Sequence, residues 1–165
     1  MARKTLKLVQ LPVPPPAAFA ATGNVPLAAG CLGVAANVHG FSNRVAVEVV
    51  APSLTDSLGD TELADRIAAD EPDILGLSLY LWNVERSLHL AREVKRRSPH
   101  TMVMVGGPEV SADNTWLLGQ SGYDVTVAGE GEETLAELLE YTLEGRDVAG
   151  LAGVSVRTPA GLTPF

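Results

Sequence analysis

Glycine and proline stand where one apolar run of the chain ends. The stretch VMVGGPEV passes from Val103–Val105 directly into Gly106, Gly107 and Pro108. Adjacent glycines lose much conformational entropy on folding and proline has no N–H to donate, so this trio adds little to ordinary packing. The stretch therefore indicates a place where the backbone comes close to another group, with a simple tight turn as the alternative.

Other apolar runs end in residues that also suit a ligand site. Small residues follow the first and last of these runs, and aromatic residues follow the third. Together they favour a broad, flat ligand that lies across a sheet edge, with one part entering between the loops. The candidate binding residues are Gly23, Asn24, Val25, Pro26, Ser78, Leu79, Tyr80, Trp82, Asn83, Gly106, Gly107, Pro108, Glu109, Gly129, Glu130, Gly131 and Glu132.

The elements that position these residues alternate regularly. Apolar periodicity predicts strands at 6–11, 44–50, 72–80, 101–105 and 124–129, with helices at 26–39, 62–70, 84–98, 115–120 and 132–143. Thr61 and Asn83 are predicted N-caps and Gly145 a C-cap. The alternation predicts an α/β fold, a three-layer doubly wound (flavodoxin-like, Rossmann-like) parallel sheet of five strands in order 2-1-3-4-5. Ligands of such sheets bind outside the carboxyl ends of the strands. A further short strand at 154–157 precedes turn residues.

Composition bounds the class of protein. A 165-residue chain with 46% hydrophobic and 19% charged residues favours one folded domain, and the net charge of −8 argues against nucleic acid as a partner. No apolar run reaches the ~18 residues of a membrane span. The basic and apolar start resembles a leader peptide, but Gln10 and Pro12–Pro16 interrupt it, so we interpret it as a strand and loop of a cytoplasmic protein.

Several common ligand motifs are missing from the sequence. Pro12–Pro16 occupies the place of the Gly-x-Gly-x-x-Gly loop of dinucleotide-binding domains, and no glycine precedes a lysine as in a Walker A loop. The acidic residues of a receiver domain and the Ser/Thr-rich phosphate loop of a flavodoxin are also absent from the expected strand ends.

Four segments carry a resemblance to a known family. They are GNVPLAAGCLGVAA, PDILGLSLYLWNVERSLHLAREVK, VMVGGPEVS and YDVTVAGEGEETLAELLE. In this order and spacing the chain resembles the N-terminal cobalamin-binding domain of class B radical S-adenosylmethionine (SAM) enzymes, from about Leu6 to Arg157. The resemblance implies a cobalamin-binding domain at 1–157 and, at 158–165, the start of a linker to a radical SAM barrel that this chain lacks.

The resemblance also implies roles for the candidate residues. In that family the corrin ring lies across the carboxyl end of the sheet and the nucleotide tail passes down beside it. Ser78 is then expected to hydrogen-bond the tail or a corrin amide, while Gly106 and Gly107 let the tail pass the fourth strand. Gly129–Gly131 would close the far side and Asn24 the near side.

The same comparison predicts the state of the cobalt. Methionine-synthase-type domains carry Asp-x-His-x-x-Gly after the first strand, and its histidine binds cobalt. His39, His89 and His100 all lie elsewhere in this chain, which predicts base-off cobalamin with no protein ligand to the metal. Tyr80 and Trp82 would face the ring, with core packing against the next helix as an equal alternative.

Catalysis is not expected from this chain alone. Its one cysteine, Cys31, cannot supply the Cys-x-x-x-Cys-x-x-Cys motif of the family, so the iron–sulfur cluster and SAM belong to the absent barrel, in cis or in trans. The leading hypothesis is a cobalamin module serving a radical SAM enzyme in methyl transfer or radical chemistry. The alternatives are a degenerate domain that acts as an interaction scaffold without cofactor, and a different flat or nucleotide-bearing ligand at the same edge.

Overall fold

Seven strands form one sheet in the computed structural model, which describes residues 3–13 and 25–165. The strands are β1 (Lys4–Val9), β2 (Val45–Val49), β3 (Ile74–Ser78), β4 (Met102–Gly106), β5 (Val125–Val127), β6 (Val154–Thr158) and β7 (Gly161–Leu162). The first five are parallel and lie in the order β2-β1-β3-β4-β5, which confirms the predicted α/β topology.

The last two strands make the sheet mixed instead of purely parallel. Residues 145–153 carry the chain back to the carboxyl edge, where Ala128 N donates to Gly153 O at 2.8 Å. As a result β6 runs antiparallel to β5, with Val154 opposite Val127, and β7 pairs antiparallel with β6. The short strand predicted at 154–157 is confirmed as β6, but the sheet has two strands more than the five predicted for it. The first residues of the predicted linker belong to the β6–β7 hairpin.

Helices cover both faces of the sheet. They are α1 (Leu27–Val38), α2 (Pro52–Thr55), α3 (Asp60–Ala69), α4 (Val84–Arg97), α5 (Thr115–Leu118) and α6 (Gly131–Glu144). Helices α3 and α4 pack together on one face, and α1 and α6 pack together on the other. Each face has its own buried apolar cluster, because strand side chains alternate between the two faces. In β3, Leu75 and Leu77 belong to the α3/α4 cluster and Ile74 to the α1/α6 cluster.

The helix caps agree with the sequence only in part. Gly145 ends α6 in the left-handed conformation (φ 66°), as predicted. Gly59 and not Thr61 is the N-cap of α3, since the helix begins already at Asp60. Asn83 stands at the N-cap of α4, but its side chain makes no capping bond to that helix. Within the described ranges, no helix is long and apolar enough to cross a membrane.

Candidate functional site

A cavity of about 220 Å³ opens at the carboxyl edge of the sheet, beneath α1 and α6. We call it the edge cavity. The sequence-predicted residues that line it are Ser78, Gly106, Gly107, Gly129, Glu130, Gly131 and Glu132. The other lining residues, which sequence analysis did not single out, are Leu8, Ala28, Leu32, Gly76, Leu77, Met104, Val105, Val127, Leu135 and Leu138. The cavity thus has aliphatic walls and a mouth made of glycines, one serine and two glutamates.

Gly76 is the most informative of the residues that sequence analysis missed. It lies inside β3, and a Cβ built on it would come within 2.8 Å of Leu8 Cδ2. A glycine within a buried strand signals a close approach, so the sequence did contain a clue to this position. Its missing side chain makes room for the Leu8 side chain, which itself lines the cavity.

Gly106 and Gly107 are adjacent but have different surroundings. A Cβ on Gly106 would meet only Val127 O at 3.5 Å and Val127 Cβ at 3.7 Å, which is ordinary contact. Gly107 has φ +107°, and a Cβ there would lie 2.6 Å from Leu79 O and 3.0 Å from Leu79 N. The clearance at Gly107 is therefore filled by the protein's own backbone, while the clearance at Gly106 leaves space in the cavity.

Ser78 ends β3 with its side chain in the cavity lining. The residue is buried, with 7% relative exposure. Its carbonyl oxygen accepts from Asn83 Nδ2 at 3.2 Å, but no described residue forms a hydrogen bond with its hydroxyl. Ser87 Oγ alone among the described side-chain atoms is fully buried without a partner, so the unbonded Ser78 hydroxyl is accessible and available to a ligand in the cavity.

The loop after β3 continues from Ser78 at the carboxyl edge of the sheet, which we call the rim, and its residues 79–83 do not line the cavity. Tyr80 and Trp82 stack on each other, with ring centroids 4.6 Å apart and planes at 9°. Trp82 is 46% exposed, so the pair is not packed into the core. Leu79 is fully buried and Asn83 is 1% exposed. The loop thus presents an aromatic surface at the rim and keeps its two ends inside the protein.

The first turn of α6 forms the opposite side of the mouth. Gly129 has φ +85° and turns the chain into the helix, whose N-cap is Glu130. A Cβ on Gly131 would lie 3.1 Å from Leu32 Cδ2, so this glycine lets α6 approach α1 closely. Because the first N–H groups of a helix lack partners inside it, this end of α6 offers hydrogen-bond donors and a positive dipole end near the mouth.

The remaining predicted residues that the structure describes do not line the edge cavity. Gly23 and Asn24 fall outside the described residues. Val25 and Pro26 line a shallow groove beside α1, which shares Glu132 with the edge cavity. Pro108 and Glu109 belong to the loop after β4, where Glu109 N lies 3.4 Å from Leu79 O.

Charged and metal-binding groups are sparse at the site. None of the ion pairs formed within the described ranges involves a residue of the cavity lining. His39, His89 and His100 all lie in those ranges, and none of them lines the cavity. No cluster of His, Cys, Asp and Glu among the residues described is suited to hold a metal ion.

Part of this chain is similar in sequence to known methyltransferases. The chain is 42% identical over 98 residues to the cobalamin-dependent radical SAM methyltransferase TokK of Streptomyces tokunonensis. It is 43% identical over 89 residues to the 2-(S-pantetheinyl)-carbapenam-3-carboxylate methyltransferase of Streptantibioticus cattleyicolor. These alignments cover 58% and 53% of this chain but only 14% and 13% of the two relatives. The chain therefore corresponds to a small part of each.

Solved structures show the same fold. The radical SAM methyltransferase TsrM from Kitasatospora setae, with cobalamin and a 4Fe–4S cluster bound, superposes with a TM-score of 0.75 at 24% identity, covering 99% of this chain and 31% of TsrM. The cobalamin-dependent radical SAM enzyme OxsB with aqua-cobalamin bound gives a TM-score of 0.73 at 17% identity, covering 96% of this chain and 21% of OxsB.

A family model extends over the site itself. The model described as B12 binding domain matches residues 28–139, a range that contains every described residue of the edge cavity except Leu8. The motif-based resemblance to the cobalamin domains of radical SAM enzymes is thereby confirmed, as is cobalamin as the cofactor of the family. The chain belongs to the B12-binding domain family.

Proposed function

We propose that this chain is the cobalamin module of a radical SAM methyltransferase and that it holds cobalamin base-off, with the nucleotide tail in the edge cavity and no histidine on cobalt. The observation that carries the proposal is the edge cavity itself, an apolar pocket that opens where three parallel strands end. In doubly wound folds, ligands bind at this end of the strands.

The cavity lining fits a flat base on a polar tail. Leu8, Met104 and Leu135 provide apolar walls for an aromatic ring system. Gly106 adds no side chain, although the fold has room for a Cβ there, so its small size favours a ligand over internal packing. The Ser78 hydroxyl, unbonded among the described residues, supplies a polar contact inside an otherwise aliphatic pocket.

The rim is suited to the ring. The stacked pair Tyr80 and Trp82 offers an exposed aromatic surface in the loop that directly follows Ser78 of the cavity lining. We propose that this surface faces the corrin, as the family resemblance implies, and that Gly129–Gly131 bounds the ring on the other side. When bound, cobalamin supplies the methyl-transfer or radical chemistry. The residues of this chain bind it, orient it and keep its tail out of water.

The absence of a histidine from the cavity supports the base-off arrangement. The loop between β1 and α1 contains no histidine in the sequence, and none of the three histidines elsewhere lines the cavity. With the tail in the cavity, its base is removed from the cobalt and no protein imidazole takes its place.

The partner is proposed to be a radical SAM barrel domain, in cis or in trans. The relatives by sequence are far longer than this chain, and the name of one of them, TokK, states dependence on cobalamin and radical SAM chemistry. A single cysteine, Cys31, cannot hold an iron–sulfur cluster of the family type. The cluster, SAM and the substrate are therefore assigned to that partner.

A scaffold without cofactor is the second candidate, favoured by one observation. Helix α1 carries no charged residue and exposes Leu27, Val34 and Val38 by 68%, 62% and 76%. Exposed apolar residues on one helix face are typical of an interaction surface. This candidate predicts a folded chain that retains no cobalamin.

A binding experiment separates the two candidates. The purified chain is mixed with hydroxocobalamin, passed through gel filtration and examined by absorption spectroscopy. We expect cobalamin to elute with the protein and to show a base-off spectrum, which persists when His39, His89 and His100 are replaced by glutamine. Failure to retain cobalamin favours the scaffold, and a histidine-ligated spectrum contradicts the base-off proposal.

A matched pair of variants locates the tail. Gly106→Val places a branched side chain in the edge cavity, whereas Gly150→Val places it where a Cβ meets nothing within 4 Å. We expect Gly106→Val to abolish retention and Gly150→Val to leave it unchanged, with both chains folded by circular dichroism. Equal retention by the two variants contradicts tail binding in this cavity.

A further inference from the structure

One buried side chain connects three backbone segments around the site. Asn83 Nδ2 donates to Leu11 O at 3.0 Å and to Ser78 O at 3.2 Å, and Asn83 Oδ1 accepts from Tyr80 N at 2.8 Å. The residue is 1% exposed and does not line the edge cavity. The sequence predicts Asn83 as a helix cap and as a ligand contact, and in the structure its side chain makes no capping bond to α4.

Each of the three bonded groups belongs to a different part of the site's frame. Leu11 follows β1, at the start of the connection to α1. Ser78 is the last residue of β3 and carries the available hydroxyl in the cavity. Tyr80 opens the turn that presents the stacked aromatic pair at the rim. The Asn83 amide therefore fixes the spacing between Ser78 in the cavity lining and the start of the aromatic turn.

We propose that Asn83 is a positioning residue for cobalamin: it holds the Ser78 hydroxyl and the Tyr80–Trp82 pair in one relative geometry. The proposal rests on the proposed function of the edge cavity. An amide suits this position because two carbonyl oxygens need donors and one backbone N–H needs an acceptor, and only an amide of this length supplies all three. An aspartate would turn a carboxylate oxygen toward two carbonyl oxygens.

A purely structural role makes a different prediction. If Asn83 only stabilises the fold, its loss lowers thermal stability but leaves the cobalamin affinity of the folded molecules unchanged. Thr101 provides the matched control, because it is 0% exposed, its hydroxyl bonds Pro72 O at 2.7 Å, and it precedes β4 at the opposite edge of the sheet. Thr101→Val should reduce thermal stability and leave the geometry of the edge cavity unchanged.

The experiment compares Asn83→Asp, Asn83→Ala and Thr101→Val with the unaltered chain, at a temperature where all are folded. Hydroxocobalamin affinity is measured by absorption titration. We expect both Asn83 variants to bind about ten- to hundredfold more weakly, by analogy with the loss seen when residues that orient metal-binding side chains are replaced. Thr101→Val should bind as the unaltered chain does. Unchanged affinity in folded Asn83 variants overturns the proposal.

A measurement without ligand keeps this inference separate from the proposed function. In a Trp116→Phe background Trp82 is the one tryptophan of the chain, and its stacking on Tyr80 gives a near-ultraviolet circular dichroism signal. We expect Asn83→Asp and Asn83→Ala to lose that signal and Thr101→Val to keep it. If the unaltered chain binds no cobalamin, the proposed function fails, but this signal still tests whether Asn83 positions the aromatic pair. Retention of the signal in the Asn83 variants contradicts that positioning role.

The unaltered chain supplies the test if neither Asn83 variant folds. The side-chain amide protons of Asn83 are bonded to two carbonyl groups and buried, so they should exchange with solvent much more slowly than those of an exposed asparagine such as Asn43. Exchange at the rate of exposed amide groups contradicts the hydrogen bonds of Asn83 and therefore its positioning role.

Discussion

The two edges of the sheet are built from different chemistry. At the amino edge, carboxylates tie neighbouring strands together: Asp73 accepts from Lys4 Nζ at 2.6 Å and from Thr5 N at 2.8 Å. Asp124 repeats the arrangement one pair of strands away, accepting from Lys95 Nζ at 2.9 Å and Val103 N at 2.8 Å. At the carboxyl edge, β3 and β4 end in residues with small side chains and an available hydroxyl.

The difference separates stability from binding. Residues that precede strands bond to the chain itself, so their polar groups are already satisfied. The residues that end β3 and β4 instead leave space and a hydroxyl that bonds to none of the described residues, which suits a ligand. Substitutions at the amino edge should therefore change stability alone, and those at the carboxyl edge should change cobalamin binding.

Gly107 should be an exception to this comparison: it lies at the carboxyl edge, yet its substitution should cause the largest loss of stability. Although it lines the cavity, a Cβ there would lie 2.6 Å from Leu79 O at a φ of +107°. We expect Gly107→Val to lower the free energy of unfolding by about 3 kcal/mol or more, from backbone strain and overpacking together. Urea denaturation measures this loss. Gly106→Val is the neighbouring control and should lose less than about 1.5 kcal/mol; equal losses would show that Gly107 has no special structural role.

Asp73→Asn should sharpen the comparison from the other edge. The amide keeps one acceptor but loses the charge that pairs with Lys4, so we expect a loss of about 1–2 kcal/mol in the free energy of unfolding at neutral pH. Cobalamin affinity should not change. Asp113→Asn, an exposed residue with no side-chain bond to the described residues, is the control and should be neutral. Weaker cobalamin binding by Asp73→Asn would contradict the separation of the edges.

The contribution of Asp73 should also depend on pH. Burial alone would raise the pKa of Asp73, but hydrogen bonds from Lys4 and Thr5 and the charge of Lys4 hold that pKa below its ordinary value. A lowered pKa in the folded state stabilises the fold above the unfolded pKa, and this is lost as the pH falls through the folded value, below about pH 4. The difference in unfolding free energy between the unaltered chain and Asp73→Asn should therefore shrink on acidification. A constant difference from pH 7 to acid would contradict this assignment.

The fold was predictable to the extent that it depends on local pattern. The five parallel strands and their helices follow from apolar periodicity, and the strand ends converge because parallel strands share one carboxyl edge. The direction of β6 was not predictable in this way, because it depends on the path of residues 145–153 across the sheet. The N-cap of α3 was also misplaced at Thr61, one residue into a helix that begins at Asp60.

The candidate site was likewise predictable only where it depends on local sequence pattern. Glycines and Ser78 at strand ends were accessible from sequence, whereas Leu8 and Met104 enter the cavity through strand register and Leu32 through the packing of α1 on α6. The hydrogen bonds of Asn83 could not be predicted from the sequence, because one of them joins residues 72 positions apart. The local sequence predicts that a polar residue before a helix caps that helix. Only the tertiary structure shows that the Asn83 amide donates to Leu11 and Ser78 instead.

The finest test of the comparison uses two buried serines. Ser87 Oγ is buried without a partner in the described structure, and the hydroxyl of Ser78 also bonds to none of these residues, but only Ser78 lines the edge cavity. Neither hydroxyl gives the described fold a hydrogen bond, so Ser78→Ala and Ser87→Ala should each lower the free energy of unfolding by no more than about 0.5 kcal/mol. Ser78→Ala should also lose about 0.5–1.5 kcal/mol of cobalamin binding free energy, the net contribution of one hydrogen bond. Absorption titration measures that loss, and Ser87→Ala should show none. Equal affinities for the two variants would mean that the Ser78 hydroxyl does not contact the ligand, and the polar contact in the cavity would then have to come from the first turn of α6.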